Sequence, residues 1–256
     1  MNSKTKVKSI DNLESYRQFI SSRAIIEFDR IDSLDSKIKG FHESVVSQFP
    51  AGPEKISEED KYMLRSKSSR LVLLTDKLVW EVGYFGNYVQ DYDLCHCYLS
   101  EKLFTAFKGI KSELMKPIRF LALITNAQIS CNGLEVQPVH FLENHFLALR
   151  EGQGPYADMS LRVGLERDNK YFINFEVAAY WLRGLEQMGI LPEKRIVRLH
   201  ELQVLDNGIK LVVDVNTKRD AFDRLPDYKE QDLQKFLNVG NEAVSDGLSK
   251  FLRKEL

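Results

Sequence analysis

The sequence has few cysteines and no long apolar run, and these two absences exclude several classes of protein. Three cysteines are too few for a disulfide framework in a chain of 256 residues, and one of them must stay unpaired. The longest apolar stretch, PIRFLALITNAQIS, is shorter than the roughly 18–20 residues of a membrane helix. The N-terminal run MNSKTKVKSIDNLESYRQF lacks the apolar segment of a signal peptide. We therefore expect a cytoplasmic protein that does not enter a membrane.

An excess of one charge is also missing. Lysine and arginine together number 36, against 37 aspartates and glutamates, so the formal net charge is −1. A strongly basic chain would indicate a nucleic-acid partner and a strongly acidic one a solvated tail, and neither applies to the chain as a whole. The composition, 43% hydrophobic and 29% charged, is ordinary for a globular protein with a substantial core.

The familiar motifs of nucleotide-binding proteins and of nucleophilic enzymes are absent too. There is no G-x-x-x-x-G-K-[ST], no strand-linked G-x-G-x-x-G and no G-x-S-x-G. The run GQGPY has two glycines, but Pro155 would disrupt a helix start that binds phosphate, so it reads as a loop tip. The sequence predicts no catalytic residues and no cofactor. Whether the protein is an enzyme stays open, and a non-enzymatic role is favoured.

The run DYDLCHCYLS places Cys95, His96 and Cys97 side by side. A structural zinc site normally takes two pairs of ligands with two to four residues between them, and no second pair exists, since Cys131 stands alone. The C-x-x-C spacing of a redox centre is missing as well. We expect these residues to pack ahead of a helix that begins near Ser100, with a reactive thiol and a metal site as the weaker alternatives.

Other polar side chains are weak candidates for chemistry. His140 and His145 flank Glu143 without the H-E-x-x-H spacing, and about 500° of helical rotation separates their rings. Asp214 follows three apolar residues, and a buried carboxylate would need a partner. We expect Asp214 to be a strand-end residue hydrogen-bonded to a turn; the alternative is an enzymatic site that it forms with His200. No metal site is predicted.

Apolar spacing predicts the elements of the first half. RAIIEFDR alternates as a strand, DSLDSKIKGFHESVVSQFP has a helical stripe, and AGPEKISEED is expected to be an exposed loop. KYMLRSK, RLVLLT and KLVWEVG should form an antiparallel meander. The helix from Ser100 then ends at Pro117, and IRFLALITNAQIS follows as a buried strand. The order β-α-β-β-β-α-β resembles a ferredoxin-like unit.

The second half is predicted to be a β-meander that leads into a long C-terminal helix. Its strands are MSLRVGLER, KYFINFEVAAYWL, RIVRLHELQVL and IKLVVDVNT, with tight turns at DN (168–169) and DNG (206–208). EQDLQKFLNVGNEAVSDGLSKFLRKEL has the apolar spacing of the helix. We therefore expect an α+β protein of two antiparallel-sheet halves, 1–130 and 131–256, which are either a duplication or unrelated units.

The run RSKSSR and the strands RLVLLT and KLVWEV that follow it suggest a surface for RNA. The cations of the expected continuous positive face are Arg65, Lys67, Arg70 and Lys77. An RNA-recognition sheet stacks bases on aromatic side chains, and Trp80 is the one aromatic residue that these two strands offer. The next loop carries four more aromatic residues, which either lie on the surface or cap the core: Tyr84, Phe85, Tyr88 and Tyr92.

Several runs together resemble a sporadically distributed bacterial family of conserved hypothetical proteins, about this long and without an assigned activity. The runs are AIIEFD, a helix ending in QFP, LRSKSSRLVLL, GIKLVVDVNTK and LQKFLNVGNEAVSDGLSKFL. RFLALITN aligns with a family strand through Arg119 and Asn126, while Leu123 and Ile124 stand where the family has arginine and tyrosine. The resemblance implies no catalytic residues, and it adds Arg119 and Asn126 to the candidate interaction face.

Two functions follow as expectations. The first is a non-enzymatic protein-interaction or regulatory protein of a bacterial cytoplasm, from a mobile-element or defence locus, with an unidentified protein partner. The alternative is an RNA-binding or RNA-processing protein that uses the ferredoxin-like half. A homodimer is the default expectation for either.

Overall fold

The structure is a computed structural model, and the residues it describes fall in seven segments. They are 14–49, 52–58, 60–132, 137–147, 159–184, 203–218 and 226–256.

These segments form an α+β fold around one large antiparallel sheet. Nine strands occur in the described residues, in the spatial order β2-β3-β4-β5-β1-β6-β9-β8-β7. The strands are β1 (Arg17–Phe28), β2 (Glu54–Glu58), β3 (Lys61–Arg65), β4 (Ser69–Leu74), β5 (Lys77–Gly83), β6 (Ile118–Ser130), β7 (Ser160–Arg167), β8 (Tyr171–Gly184) and β9 (Gln203–Thr217).

The described helices come in two short and two long stretches. α1 (Ile38–Val45) continues as a 3-10 turn, and α2 (Tyr92–Gly109) continues as a π turn to Leu114. α3 (Pro138–Leu142) follows β6. The C-terminal stretch consists of α4 (Glu230–Glu242) and α5 (Leu248–Arg253), which a π turn joins. The predicted long C-terminal helix is thus confirmed.

The chain forms two compact units, each assembled from separate segments. The larger contains Phe19–Ala127, Val163–Phe175 and Val212–Leu256. The smaller contains Met1–Gln18, Gln128–Arg162 and Glu176–Leu211. The predicted division of the chain after residue 130 stays a prediction.

In the larger unit the helices cover one face of the sheet. Trp80 of β5 is fully buried there and stacks on Phe49, with 5.4 Å between ring centroids. The C-terminal helix packs closely on β6, because a Cβ at Gly240 would lie 2.9 Å from Cδ2 of Leu123. A side chain at position 240 would have to displace the end of Leu123, so glycine allows the helix and the strand to pack closely at this point.

The strand residues that alternate with this core lie on the opposite face. Along β5, Leu78, Trp80 and Val82 are buried, whereas Val79 and Glu81 between them are only half-buried. The same alternation holds in β3 and β4. We call this second face of the larger unit the open face, because its side chains in β3 to β5 are half-buried or exposed.

The helix predicted from Ser100 begins eight residues earlier. Asp91 is its N-cap, and its carboxylate accepts a hydrogen bond from the backbone N–H of Leu94 at 3.2 Å. Ser100 lies inside the helix, where it contacts His96 at 3.4 Å instead of capping. The predicted loop AGPEKISEED also contains a strand, β2, whose residues 54–58 pair with β3.

The two predicted tight turns of the second half have opposite outcomes. Asp168 and Asn169 both have positive φ, 53° and 56°, and join β7 to β8 as the DN turn was expected to do. The hairpin predicted at DNG is wrong, because residues 206–208 lie within the uninterrupted strand β9. There the backbone carbonyl of Asn207 accepts a hydrogen bond from the N–H of Cys131 at 2.8 Å.

A lysine is buried between α2 and the sheet of the larger unit. Lys102 is 3% exposed, and its ammonium donates to the backbone carbonyl of Gln48. The same Nζ lies 4.4 Å from the ring centre of Tyr98 and 5.4 Å from that of Trp80. Burial lowers the pKa of Lys102, and the charge of neighbouring Glu101 only partly opposes this effect.

Replacing Lys102 by methionine should change how stability depends on pH. Between the lowered folded pKa and the ordinary value of 10.5, the unfolded chain binds more protons at Lys102 than the folded one. The wild type therefore gains stability from Lys102 as the pH rises through this window, and Lys102→Met should lack that gain. At about pH 7 we expect the two free energies of unfolding to agree within about 1 kcal/mol, because relief of the buried charge offsets the lost hydrogen bond.

Urea unfolding from about pH 7 to pH 10 measures this difference. Tyrosines other than Tyr98, which contacts the ammonium, ionise alike in both proteins, so the difference between them reports on Lys102 and its immediate surroundings. Parallel pH profiles for the wild type and the variant would contradict the prediction.

Candidate functional site

A cleft opens on the open face of the larger unit, at the end of the sheet where β3 turns into β4. Its volume is about 610 Å³, within the range of ligand sites in proteins. Four cationic side chains and one carboxylate line it: Arg23, Arg65, Lys67, Arg70 and Glu81. Hydroxyl and amide groups supply the remaining polar lining: Ser21, Ser22, Ser66, Ser68, Ser69 and Asn126.

Four of the charged residues of the cleft form a row across neighbouring strands, and Lys67 lies in the turn at its side. Arg65 of β3 lies directly opposite Arg70 of β4, Arg70 opposite Glu81 of β5, and Glu81 opposite Arg23 of β1. Glu54 of β2 is opposite Arg65 and begins the row at the edge of the sheet. We call these five residues the charged row.

Glu81 neutralises part of the row. Its Oε2 accepts a hydrogen bond from Nε of Arg70 at 2.9 Å, and its Oε1 lies 2.5 Å from Nη2 of Arg23. Both arginine side chains remain about half exposed, at 51% for Arg23 and 49% for Arg70. One carboxylate therefore holds two guanidinium groups in place at the cleft without cancelling both charges.

The other two cations of the cleft have no such partner. Arg65 and Lys67 are exposed, and neither forms an ion pair with a carboxylate of the described residues. Arg65 faces Glu54 on one side and Arg70 on the other, and the direct opposition of two arginines destabilises a sheet. An anion bound between the two guanidinium groups would remove this repulsion.

The turn that presents Lys67 is fixed by its own serines. The backbone N–H of Ser66 donates to the carbonyl of Ser69 at 2.8 Å, and Ser68 accepts from the N–H of Gly83 at 2.8 Å. The hydroxyl of Ser69 accepts from Nε1 of Trp80 at 2.7 Å. The turn is thereby attached to β5, which gives the cleft a defined wall.

A hydrogen bond between side chains of β1 and β6 lies in the opposite wall, with a second, buried contact beneath it. Nδ2 of Asn126 donates to Oγ of Ser21 at 3.2 Å. The hydroxyls of Ser22 and Thr125 are buried and lie 3.0 Å apart.

The structure brings together four of the predicted interaction residues. Arg65, Lys67, Arg70 and Asn126 all line the cleft. Lys77 lies on the same face but four positions along β5 from Glu81, about 13 Å away, and opposite Glu27. The positive face is therefore confined to the cleft and does not extend to Lys77.

Trp80 and Arg119 lie away from the cleft. Trp80 is fully buried on the helix-covered face, so it cannot stack on a ligand of the open face. Arg119 makes a bidentate pair with Asp29, both contacts at 2.7 Å, and donates to the backbone carbonyl of Pro226. This pairing lowers the pKa of Asp29 and raises that of Arg119.

Sequence reasoning missed Arg23 and Glu81. The alternation of RAIIEF and of KLVWEVG could have placed each residue on the face opposite the core. Their meeting depends on the register of β1 against β5, which pairs strands from distant parts of the chain.

The neighbouring thiols and histidine near residue 96 lie on α2. Cys95 is buried, its Sγ lies 2.9 Å from the backbone carbonyl of Tyr88, and burial raises its pKa to about 12. Cys97 is exposed, and burial lowers the pKa of His96. The described residues contain no cluster of three or more His, Cys, Asp or Glu side chains suited to a metal ion. The packing interpretation therefore fits Cys95.

The remaining candidates do not converge on a second site in the described residues. Asp214 accepts hydrogen bonds from Nδ2 of Asn174 and of Asn216, each at 3.3 Å. His200 lies outside the described residues. The ring of His145 stacks on Phe141, with 5.9 Å between centroids.

The aromatic residues near residue 90 are divided between core and surface. Tyr92 is 7% exposed and packs on Phe19 at 5.0 Å between ring centroids, whereas Phe85 is 64% exposed. Tyr84 is half-buried, and burial raises its pKa. The expectation that these residues cap the core fits Tyr92 and not Phe85.

None of the helices among the described residues has both the length and the apolar character needed to span a bilayer. Comparison of the sequence with protein-family models and with curated proteins finds no match.

Proposed function

We propose that the protein is a non-enzymatic, cytoplasmic RNA-binding protein that holds the phosphodiester backbone in the cleft of the open face. One observation carries this function: four cations meet in the cleft around one carboxylate, and two of them, Arg65 and Lys67, form no ion pair with a described carboxylate. Such an arrangement costs stability in the free protein and favours an anion. Guanidinium groups match phosphate geometry well, because they can donate two parallel hydrogen bonds.

The neutral groups of the cleft support the same ligand. Hydroxyl and amide side chains are common donors to phosphate and sugar oxygens in nucleic-acid complexes. The O–H of Ser21 and the second amide N–H of Asn126 provide such donors beside the cations. The overall net charge of −1 does not oppose RNA binding, because the positive charge is concentrated locally.

The strand order supports a ferredoxin-like core as part of this proposal. β1 lies between β5 and β6, and β4 follows β5, which is the order of a four-stranded ferredoxin-like sheet with β2 and β3 added at the edge. In RNA-recognition modules of this kind the RNA binds the sheet face that the helices leave free. The cleft occupies the corresponding face here.

RNA is favoured over a protein as the partner because of the unpaired cations. A protein interface would be expected to centre on buried aromatic anchors, and the cleft has none. The protein partner, the homodimer and the bacterial origin suggested by the sequence stay predictions.

Salt dependence is the direct test of RNA binding. Fluorescence anisotropy with a labelled oligouridylate of about ten nucleotides should show binding that weakens steeply between about 50 and 200 mM salt. We expect each of the four cleft cations to lie near one phosphate, with the charges of Arg23 and Arg70 partly neutralised by Glu81. The slope of log K against log salt should then be about −2 to −3. A flat response, or no binding at low salt, would refute the function. Equal competition by uridine monophosphate would replace RNA with a small phosphate ester as the ligand.

A further inference from the structure

A row of aliphatic side chains crosses the open face beside the charged row. Ile56 of β2 is opposite Met63 of β3, Met63 opposite Val72 of β4, Val72 opposite Val79 of β5, and Val79 opposite Ile25 of β1. All five are half-buried, so each presents part of its apolar surface to solvent. We call these five residues the aliphatic row.

The aliphatic row runs parallel to the charged row. Each of its residues lies two positions along its strand from a member of the charged row, as Val72 does from Arg70 and Ile25 from Arg23. Two positions along a strand correspond to about 7 Å. This offset is comparable to the distance between the backbone of a nucleotide and its base.

On the side of the aliphatic row away from the charged row, the positive and negative charges balance. There Lys77 is opposite Glu27, and Lys61 lies 4.0 Å from Glu58. Each of these two cations has one carboxylate beside it, whereas the cleft has four cations against Glu81 and, at the edge of the sheet, Glu54. A polyanion that contacts the aliphatic row is therefore oriented with its backbone toward the cleft.

We infer, building on the proposed RNA binding, that the aliphatic row receives the bases of an unpaired strand whose phosphates lie in the cleft. The protein then selects single-stranded over duplex RNA, because in a duplex the base faces are stacked on one another and cannot reach the row. Aliphatic side chains bury base surface without reading hydrogen-bonding edges, so the contact is independent of sequence.

Three probes of equal length separate the bases from the backbone: an oligouridylate of about ten nucleotides, an abasic phosphodiester strand and a blunt RNA duplex. At one salt concentration the oligouridylate should bind about tenfold more tightly than the abasic strand, with the duplex at or below the abasic strand. Nearly equal affinities for the three probes, each with a steep salt slope, would overturn the inference and leave RNA binding intact. Failure of all three to bind would refute the proposed function itself.

Val72→Thr combined with Val79→Thr tests the row directly. Threonine keeps the shape and the strand preference of valine, so the fold should persist, as circular dichroism can verify. The double variant should lose about three- to fivefold in oligouridylate affinity while its salt slope and its abasic-strand affinity stay unchanged. Val212→Thr, a half-buried valine of β9 outside both rows, should leave all affinities unchanged.

The same samples also test whether the aliphatic row binds a second copy of this chain. If sedimentation shows a wild-type dimer that the double variant loses, and the probes show no dependence on bases, the row is an interface between copies of this chain and the inference fails.

Discussion

Reversing the charges of Arg65 and Lys67 together, as Arg65→Glu with Lys67→Glu, should weaken oligouridylate binding about a hundredfold at about 100 mM salt. These two cations carry no ion pair to a described carboxylate, so their loss removes attraction for phosphate without breaking a contact of the fold. The new carboxylate at position 65 would lie between Arg70 and Glu54, and its pairing with Arg70 would take a third cation from the ligand. Anisotropy titrations at several salt concentrations should show the slope of log K becoming shallower by about 1 to 2.

A matched control changes the net charge by the same amount elsewhere. Lys39 of α1 and Lys235 of α4 are exposed on helices, away from the open face. Lys39→Glu with Lys235→Glu should therefore weaken binding less than about threefold. An equal loss for both double variants would mean that the ligand senses only the total charge, and the cleft would lose its assigned role.

The cleft residues that are neighbours in the sequence could be predicted from it. Arg65, Lys67 and Arg70 surround one turn between two short strands, so local patterning sufficed to group them. Arg23 joins them only through the pairing of β1 with β5, and no local rule fixes that register. Trp80 is close to them in sequence, but the alternation of β5 places it on the buried face with Leu78.

The fold shows the same division between local and distant signals. The strands β3 to β5 and the DN turn at 168–169 follow from alternation and turn residues within a few positions. The predicted start of α2 is wrong because Ser100 is only one of two good N-cap residues. Asp91 caps the helix, and its buried positions Cys95 and Leu99 continue the apolar periodicity upstream of Ser100. Asparagine followed by glycine is equally a strong turn signal, and tertiary packing overrides it in β9.

Gly208→Ala should show how strongly that packing constrains the strand. In the smaller unit, a Cβ at Gly208 would lie 2.1 Å from the backbone carbonyl oxygen of Ile129 and 2.9 Å from Cε1 of Tyr180. The first clash is with backbone, which cannot move aside as the end of a side chain can, so β6 and β9 would have to separate locally. We expect a loss of about 3 kcal/mol in the free energy of unfolding, measured by urea denaturation.

Gly208→Ala and a control variant also show whether position 208 needs glycine for close packing. Gly83→Ala is the matched change in a strand, because the nearest atom to its new Cβ would be the carbonyl oxygen of Ser68 at 3.8 Å, an ordinary contact. That variant should be as stable as the wild type or up to about 1 kcal/mol more stable, since alanine has less conformational freedom to lose. If Gly208→Ala were as harmless as Gly83→Ala, Gly208 would have room for a side chain, and the close approach of β9 to Ile129 would be wrong.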